Sequence, residues 1–123
     1  MLMIDALVAH SEDECTCTKT FREGDPLVEG GRVSALAVIE LFAQAAAAHF
    51  GYAGILRGGA LSSGALLGTR RIDLALGTLA IGDEITIVAR RAMAIPPMAQ
   101  FECTASIGGR VIASGSINVA MGS

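Results

Sequence analysis

Hydrophobic and polar residues alternate along most of the chain, and one long apolar run interrupts this alternation. Residues 1–10 alternate loosely, and residues 15–21 alternate with Thr16, Thr18 and Thr20 on one side. The polar cluster of residues 11–14 lies between them, so the two segments are predicted to form a hairpin. Residues 22–32 are dense in turn residues and are predicted to be a loop.

The apolar run predicts the most secure element, a helix over residues 35–50. It is rich in Ala and Leu, contains no Gly or Pro before Gly51, and follows Ser34, a suitable N-cap. Apolar residues occur nearly all round this helix, which indicates burial on most faces. A sheet that wraps around the helix would provide that burial.

Four further strands are predicted after the helix, at residues 65–76, 84–95, 98–107 and 110–121. The connections Pro96-Pro97 and Gly108-Gly109 are short enough for antiparallel hairpins, so the last three strands should form a meander. Two strands, one helix and four strands predict a single α+β domain over residues 1–123. The hotdog fold, an antiparallel sheet around one long helix, satisfies this order, and a cystatin-like or other α+β roll is the alternative.

Composition and charge narrow the classes of function. The chain is 52% hydrophobic and 4% aromatic, and its net charge is -3 without a basic stripe, which argues against nucleic-acid binding. Residues 33–56 are long enough for a membrane span, but Glu40, Gln44 and His49 interrupt them. The N-terminus has no signal-peptide pattern, so a cytoplasmic location is expected.

The three cysteines and two histidines point to no metal or redox site. An odd number of cysteines is typical of small buried hydrophobes rather than a disulfide framework. Their spacing forms no zinc set, and no glycine-rich phosphate motif is present. We therefore expect no metal and no organic cofactor.

The candidate chemistry lies on the helix. A carboxyl such as that of Glu40 in an apolar helix has a high desolvation cost, which suits an acid or base. Gln44, four residues on and about 40° round the axis, is placed to orient it. A solvated Glu40 and a Gln44 bonded to backbone are the structural alternatives. His49 points about 180° away from Glu40 and is predicted to be partly exposed near the helix end.

Three segments together resemble the 3-hydroxyacyl-(acyl-carrier-protein) dehydratase family, most closely its small predicted dehydratases of aryl polyene lipid clusters. They are Met1-Leu2-Met3-Ile4-Asp5, the run from Gly31 to Ala45 with Glu40-Leu41-Phe42-Ala43-Gln44, and Leu66-Leu67-Gly68-Thr69-Arg70-Arg71 followed by Gly82-Asp83-Glu84-Ile85. Each is weak alone, but their order and spacing span nearly the whole chain. The resemblance implies a hotdog fold and a dehydratase.

The resemblance also implies roles for individual residues. Glu40 stands at the acidic position of the dehydratase site, and the first helical turn, near Ser34 and Ala35, would offer backbone amides to a thioester carbonyl. Gly31 precedes that turn. Leu66 and Gly68 would lie on the strand that pairs across a dimer and lines the acyl tunnel.

The sequence departs from the family where many dehydratases carry histidines. Pro26 stands where the family has a catalytic His, and Ser34-Ala35 replaces the Pro-Gly pair that opens its helix. A second family His lies ahead of the opening strand, whereas His10 lies beyond it. Truncation, a misassigned first Met and loss of the chemistry in this homologue all stay open as explanations.

Three functions follow from these observations. The first is dehydration of a 3-hydroxyacyl thioester on acyl carrier protein, in fatty-acid or polyene lipid synthesis. The second is thioester hydrolysis by the same carboxylate, and the third is a non-catalytic acyl-binding subunit. Acyl carrier protein or coenzyme A would carry the substrate, and a homodimer or higher homo-oligomer is expected.

Overall fold

The computed structural model describes residues 4–56, 64–95 and 98–121. Eight strands and one helix are found in these ranges. In chain order they are β1 (Ala6–His10), β2 (Glu14–Thr20), β3 (Arg32–Ser34), α1 (Ala37–Leu56), β4 (Gly64–Leu74), β5 (Thr78–Ala80), β6 (Glu84–Ile95), β7 (Met98–Ile107) and β8 (Arg110–Met121). The six strands and the helix predicted from the sequence are present, and β3 and β5 are additional.

The short strands β3 and β5 set the start of the helix. They pair antiparallel, with Ser34 opposite Thr78, so the chain is still extended at Ser34. The helix therefore begins at Ala37, two residues later than predicted. Ser34 does not cap the helix as expected. Its hydroxyl instead accepts a hydrogen bond from the Leu36 amide at 3.3 Å, in the turn before the helix.

The main sheet has the strand order β1-β2-β6-β7-β8-β4, and every neighbouring pair is antiparallel. The predicted meander of β6, β7 and β8 is confirmed. Register shifts interrupt the pairs β1–β2, β4–β8, β6–β7 and β7–β8. Such bulges bend and twist strands, which lets the sheet curve around α1.

The core lies between the concave face of the sheet and one side of α1. Helix residues spaced three and four apart are buried: Val38, Leu41, Phe42, Ala45, Ala46 and His49. They meet alternate residues of the strands, among them Cys15, Cys17, Ile85, Ile87, Phe101, Cys103, Ile117 and Val119. Each fully buried large apolar side chain contributes about 1.5–3 kcal/mol. The other side of α1 is more open than predicted, because Glu40 is exposed and Ala43 and Gln44 are only partly buried.

One predicted connection, the Pro96-Pro97 hairpin turn, lies outside the described residues. Residues 57–63, between α1 and β4, also lie outside them. Within the described ranges, no helix is long and apolar enough to cross a membrane.

Candidate active site

A cavity of about 680 Å³ opens beside the first turns of α1. This volume lies within the roughly 300–1,000 Å³ of typical small-molecule sites. Its described lining comes from β2 and the loop after it, from β3 and the turn after it, and from α1: Lys19, Phe21, Asp25, Pro26, Leu27, Val33, Ser34, Leu36, Ala37, Glu40 and Gln44. Apolar residues are the larger part of this lining, with polar side chains among them, which is the composition expected of a small-molecule site.

Glu40 and Gln44 lie together on the cavity side of α1, as predicted. Gln44 Nε2 donates a hydrogen bond to Glu40 Oε1 at 3.4 Å. Gln44 Oε1 accepts one from the Ile4 amide at 3.2 Å, so both ends of the Gln44 side chain are engaged. The high desolvation cost expected for Glu40 is not found in the isolated chain. Glu40 lies in the first turn of α1, rather than in its middle, and is exposed.

Among the described residues that line the cavity, Lys19 is the one with a positively charged side chain. It lies on β2 and is only 8% exposed, because it shares the inward face with Cys15 and Cys17. Its Nζ lies 3.5 Å from Asp5 Oδ1 and 3.8 Å from Asp25 Oδ2. Neither Lys19 nor Asp25 was predicted from the sequence to be a site residue. The alternation of β2, which assigns Lys19 to the same face as the two cysteines, was the signal that could have found it.

The turn before α1 holds two backbone amides that have acceptors within the chain. The Ala35 amide donates to the Gly77 carbonyl at 3.0 Å, and Ala35 is buried outside the cavity lining. The Leu36 amide donates to the Ser34 hydroxyl. Ser34 itself lines the cavity. These bonds take up the two amides nearest the predicted thioester-binding turn, so binding there would have to break them.

Two of the remaining predicted substrate-binding residues, Gly31 and Gly68, do not line this cavity. Gly31 has φ +76° and forms a two-residue turn with Gly30, closed by hydrogen bonds between Glu29 and Arg32. Gly68 lies on β4 opposite Asn118. Leu66 lies on the same strand opposite Val119, but its side chain is outside the described part of the chain.

The two histidines form a separate cluster on the opposite side of α1. Their rings stack with centroids 4.7 Å apart, and His49 is 1% exposed, so the prediction of a partly exposed His49 is wrong. His49 Nε2 lies 3.0 Å from the Glu12 carbonyl and 3.2 Å from the Ser11 carbonyl. Burial, followed by the neighbouring His10, lowers the pKa of His49. Neither histidine lines the cavity.

The three cysteines are free and buried in the core, as the sequence analysis expected of small hydrophobes. The Cys15 thiol donates to the Ala45 carbonyl at 3.2 Å. Burial, followed by the nearby Glu102, raises the pKa of Cys103 to about 12, so this thiol stays protonated near neutral pH. Over the residues that the structure describes, no group of His, Cys, Asp and Glu side chains is arranged to hold a metal ion.

Solved structures with the same architecture show which fold the chain has. A chain of the dehydratase heterocomplex ApeI:P from Xenorhabdus doucetiae superimposes with a TM-score of 0.93 at 24% identity, covering 98% of this chain and 83% of that chain. A hypothetical thioesterase with coenzyme A from Streptococcus pneumoniae gives 0.70 at 13% identity, covering 96% and 83%. The Escherichia coli PaaI protein gives 0.71 at 16% identity, covering 97% and 79%. The predicted α+β hotdog fold is confirmed.

The family follows from the sequence itself. The sequence model of the ApeP-like family, described as ApeP dehydratase, matches residues 1–123, so the chain belongs to this family. The predicted resemblance to small aryl polyene dehydratases and the predicted dehydratase class are confirmed. The thioesterases share the fold at identities too low to carry their reaction over. A search of curated proteins found no match.

Proposed function

We propose that the cavity beside α1 is the site where the chain dehydrates a 3-hydroxyacyl thioester, with Glu40 as its proton-transfer group. One observation carries this proposal: Glu40, Gln44 and Ser34, each singled out from the sequence, line a single largely apolar cavity. Leu27 and Leu36, both exposed on that side of the chain, offer apolar surface to the acyl chain.

The reaction requires a base and an acid. The base removes the C2 proton, the C2–H electron pair forms the C2=C3 double bond, and the C3–O bond breaks. The departing hydroxyl takes a proton from the acid and leaves as water. A carboxylate can accept the first proton and a carboxylic acid can donate the second. Glu40 serves as one of these groups.

Gln44 acts as a positioning residue. The Ile4 amide engages Gln44 Oε1, which leaves the amide nitrogen directed at Glu40. A donor fixed in this way favours one orientation of the Glu40 carboxyl. The bond is long at 3.4 Å and is expected to tighten when substrate excludes water, as catalytic hydrogen bonds do.

The second proton-transfer group is proposed to come from a partner subunit. Pro26 lines the cavity, and it stands at the sequence position where the dehydratases that this chain resembles carry a His. Both histidines of this chain lie elsewhere. The related structure from Xenorhabdus doucetiae is described as a dehydratase heterocomplex. A second hotdog chain would also cover Glu40, which is exposed here, and would exclude water from it.

The partner is proposed to pair along β4. This strand lies at the end of the sheet and is paired with β8 on one side. An edge strand of eleven residues is long enough to template pairing with another chain. Leu66 and Gly68 would then lie at the junction, where the acyl tunnel is expected. Acyl carrier protein is the proposed carrier of the substrate, and the cytoplasm is the proposed location.

The test is the hydration of a 2,3-enoyl thioester, followed together with hydrolysis of the same compound. The chain is assayed alone and after coexpression with a second hotdog subunit that carries the family His. Hydration that requires both chains and is lost in Glu40→Gln supports the proposal. Glu84→Gln, a carboxylate outside the cavity, is the matched control and should retain activity. Hydrolysis without hydration would replace the proposal with a thioesterase.

A non-catalytic acyl-binding subunit is the second candidate, favoured by the absence of both histidines from the cavity lining. In that case the assembly would bind and hydrate the enoyl thioester equally well with the wild-type chain and with its Glu40→Gln variant. All proton transfer would then belong to the partner.

A further inference from the structure

Lys19 is a charged side chain placed where the strand pattern otherwise has apolar residues. It is 8% exposed, and its inward-facing neighbours on the same run are Cys15, Cys17 and Phe21. Burying an ammonium group is costly unless it is paired, so a Lys at this position needs compensation. Lys19 nevertheless reaches the cavity beside Glu40 and Gln44.

Two carboxylates compensate the charge without taking up its hydrogen bonds. Asp5 and Asp25 lie 3.5 Å and 3.8 Å from Nζ, longer than the roughly 2.7–3.2 Å of a hydrogen bond. Their short contacts go elsewhere, because the Thr20 amide donates to Asp5 Oδ2 at 2.7 Å and the Arg22 amide to Asp25 Oδ2 at 2.8 Å. An ammonium has three donors. The two carboxylates therefore hold the ammonium at ion-pair distance and leave it able to form a shorter bond to a ligand.

The position of the ammonium is also restrained. Nζ lies 5.1 Å from the centre of the Phe21 ring, within the range of a cation–π contact. Phe21 is itself buried and lines the cavity. The cation is thus held by two carboxylates and a ring, with its donors available to a molecule in the cavity. This is the arrangement of a preorganised electrostatic site.

The turn before the helix offers fewer unpaired backbone amides than the sequence predicted. The amides of Ala35 and Leu36 already donate to Gly77 and Ser34. A thioester carbonyl in the cavity would therefore find these two amides engaged, and a cationic donor would stabilise the negative charge that develops on its oxygen more strongly than a neutral amide. Lys19 is the cationic donor that the described lining offers.

We propose that the Lys19 ammonium donates a hydrogen bond to the carbonyl oxygen of the acyl thioester and stabilises the enolate that dehydration forms. When the C2 proton passes to the base, the C2–H electron pair moves toward the carbonyl oxygen, next to Lys19. The pair then returns to form the C2=C3 bond as the C3–O bond breaks and the hydroxyl leaves as water with a proton from the acid. This role rests on the proposed dehydratase function and adds a group that touches the substrate.

The experiment measures the carbonyl stretch of a bound 2,3-enoyl thioester, labelled with carbon-13 at the carbonyl, by difference infrared spectroscopy in the active assembly. Polarisation by an ammonium lowers this frequency. We expect the lowered frequency in the wild type and in Glu40→Gln, and its loss in Lys19→Met. The kcat of Lys19→Met should fall about 10²–10³-fold, as when an oxyanion donor is removed.

Arg22→Met is the matched control, since Arg22 pairs with the same Asp5 at 3.6 Å but is exposed and outside the cavity lining. It should keep the lowered frequency. If Lys19→Met does not fold, Lys19→Arg replaces it, and a guanidinium should then shift the frequency to a new value. A frequency that is the same in the Lys19 variant and the wild type overturns the inference while leaving the dehydratase function intact. A wild-type assembly that neither binds nor hydrates the thioester overturns both.

Discussion

On the first turn of α1, Glu40 is exposed to a cavity of about 680 Å³, whereas His49, nine residues further along the same helix, is 1% exposed. Both interrupt one apolar run, and they point in opposite directions, about 180° apart. Glu40 faces the loop before β3 across open space. His49 faces the β1–β2 turn, which closes over it.

The difference shows that the packing around a polar residue in an apolar helix determines its chemical behaviour. Around His49, backbone carbonyls, the His10 ring and Phe101 fill the space. Burial lowers the pKa of His49, so it is a neutral structural group near pH 7. Around Glu40, a cavity leaves the space open. Three predictions test this contrast between Glu40 and His49.

Exchanging the two residues should have the largest effect. His49→Glu puts a carboxylate where water is excluded and carbonyl oxygens lie within 3.2 Å, so we expect a loss of about 3–5 kcal/mol in the free energy of unfolding. Glu40→His, on the exposed side, should change it by no more than about 0.5 kcal/mol. Denaturant unfolding of both variants measures the difference. Equal stabilities would contradict the contrast.

Two glycines extend the comparison to the sheet. A Cβ at Gly115 would overlap the Arg71 carbonyl oxygen and lie 2.6 Å from the Ile72 side chain, so Gly115→Ala should cost about 1–3 kcal/mol. A Cβ at Gly68 has nothing within 4 Å, so Gly68→Ala should leave stability unchanged within about 0.5 kcal/mol. Thermal unfolding measures both. If Gly68→Ala reduces activity at unchanged stability, the proposed role of β4 in the tunnel gains support.

The smallest expected effect is a dependence of stability on pH. The pKa of His49 is lowered from 6.5 in the folded chain, so below pH 6.5 the unfolded chain binds a proton that the folded chain does not. Stability should therefore fall with pH from 6.5 downward, by at most about 1.4 kcal/mol per unit. The groups facing His49 are His10, Arg91 and the carbonyls of Ser11 and Glu12.

His49→Gln removes the titrating ring and keeps a donor, so its stability should depend less on pH over this range. His10→Gln is the control for the second ring and should retain most of the dependence. Unfolding in urea at a series of pH values gives both results. A pH dependence in His49→Gln equal to that of the wild type would assign the effect to other groups.

Local sequence patterns predicted the helix and strands whose hydrophobic period extends over many residues. The helix, the meander and the β1–β2 hairpin follow from periodicity and turn residues over many positions. The strands β3 and β5 have three residues each, too few for a period, and they form because Arg32–Ser34 and Thr78–Ala80 meet across 44 or more positions. Their pairing moves the helix start to Ala37. That the chain forms one domain stays a prediction.

The candidate site was predictable where its residues lie on one element. Glu40 and Gln44 are four apart on a helix, so spacing alone places them together. The alternation of β2 assigns Lys19 to the inward face, but its approach to Asp25 and to the helix depends on the pairing of β2 with β6 and on the turn at Arg22–Asp25, which the alternation does not specify. His49 was misjudged for the same reason, since its burial depends on a turn 37 positions away.

The central claim is that dehydration takes place in the cavity beside Glu40. The kinetics of Glu40→Gln, in the assembly with its partner, test this claim most directly. We expect kcat for enoyl thioester hydration to fall at least about 100-fold, with the affinity for the thioester and the unfolding temperature unchanged. Glu84→Gln should match the wild type. Unchanged kcat in Glu40→Gln would contradict the account and leave this chain as an acyl-binding subunit.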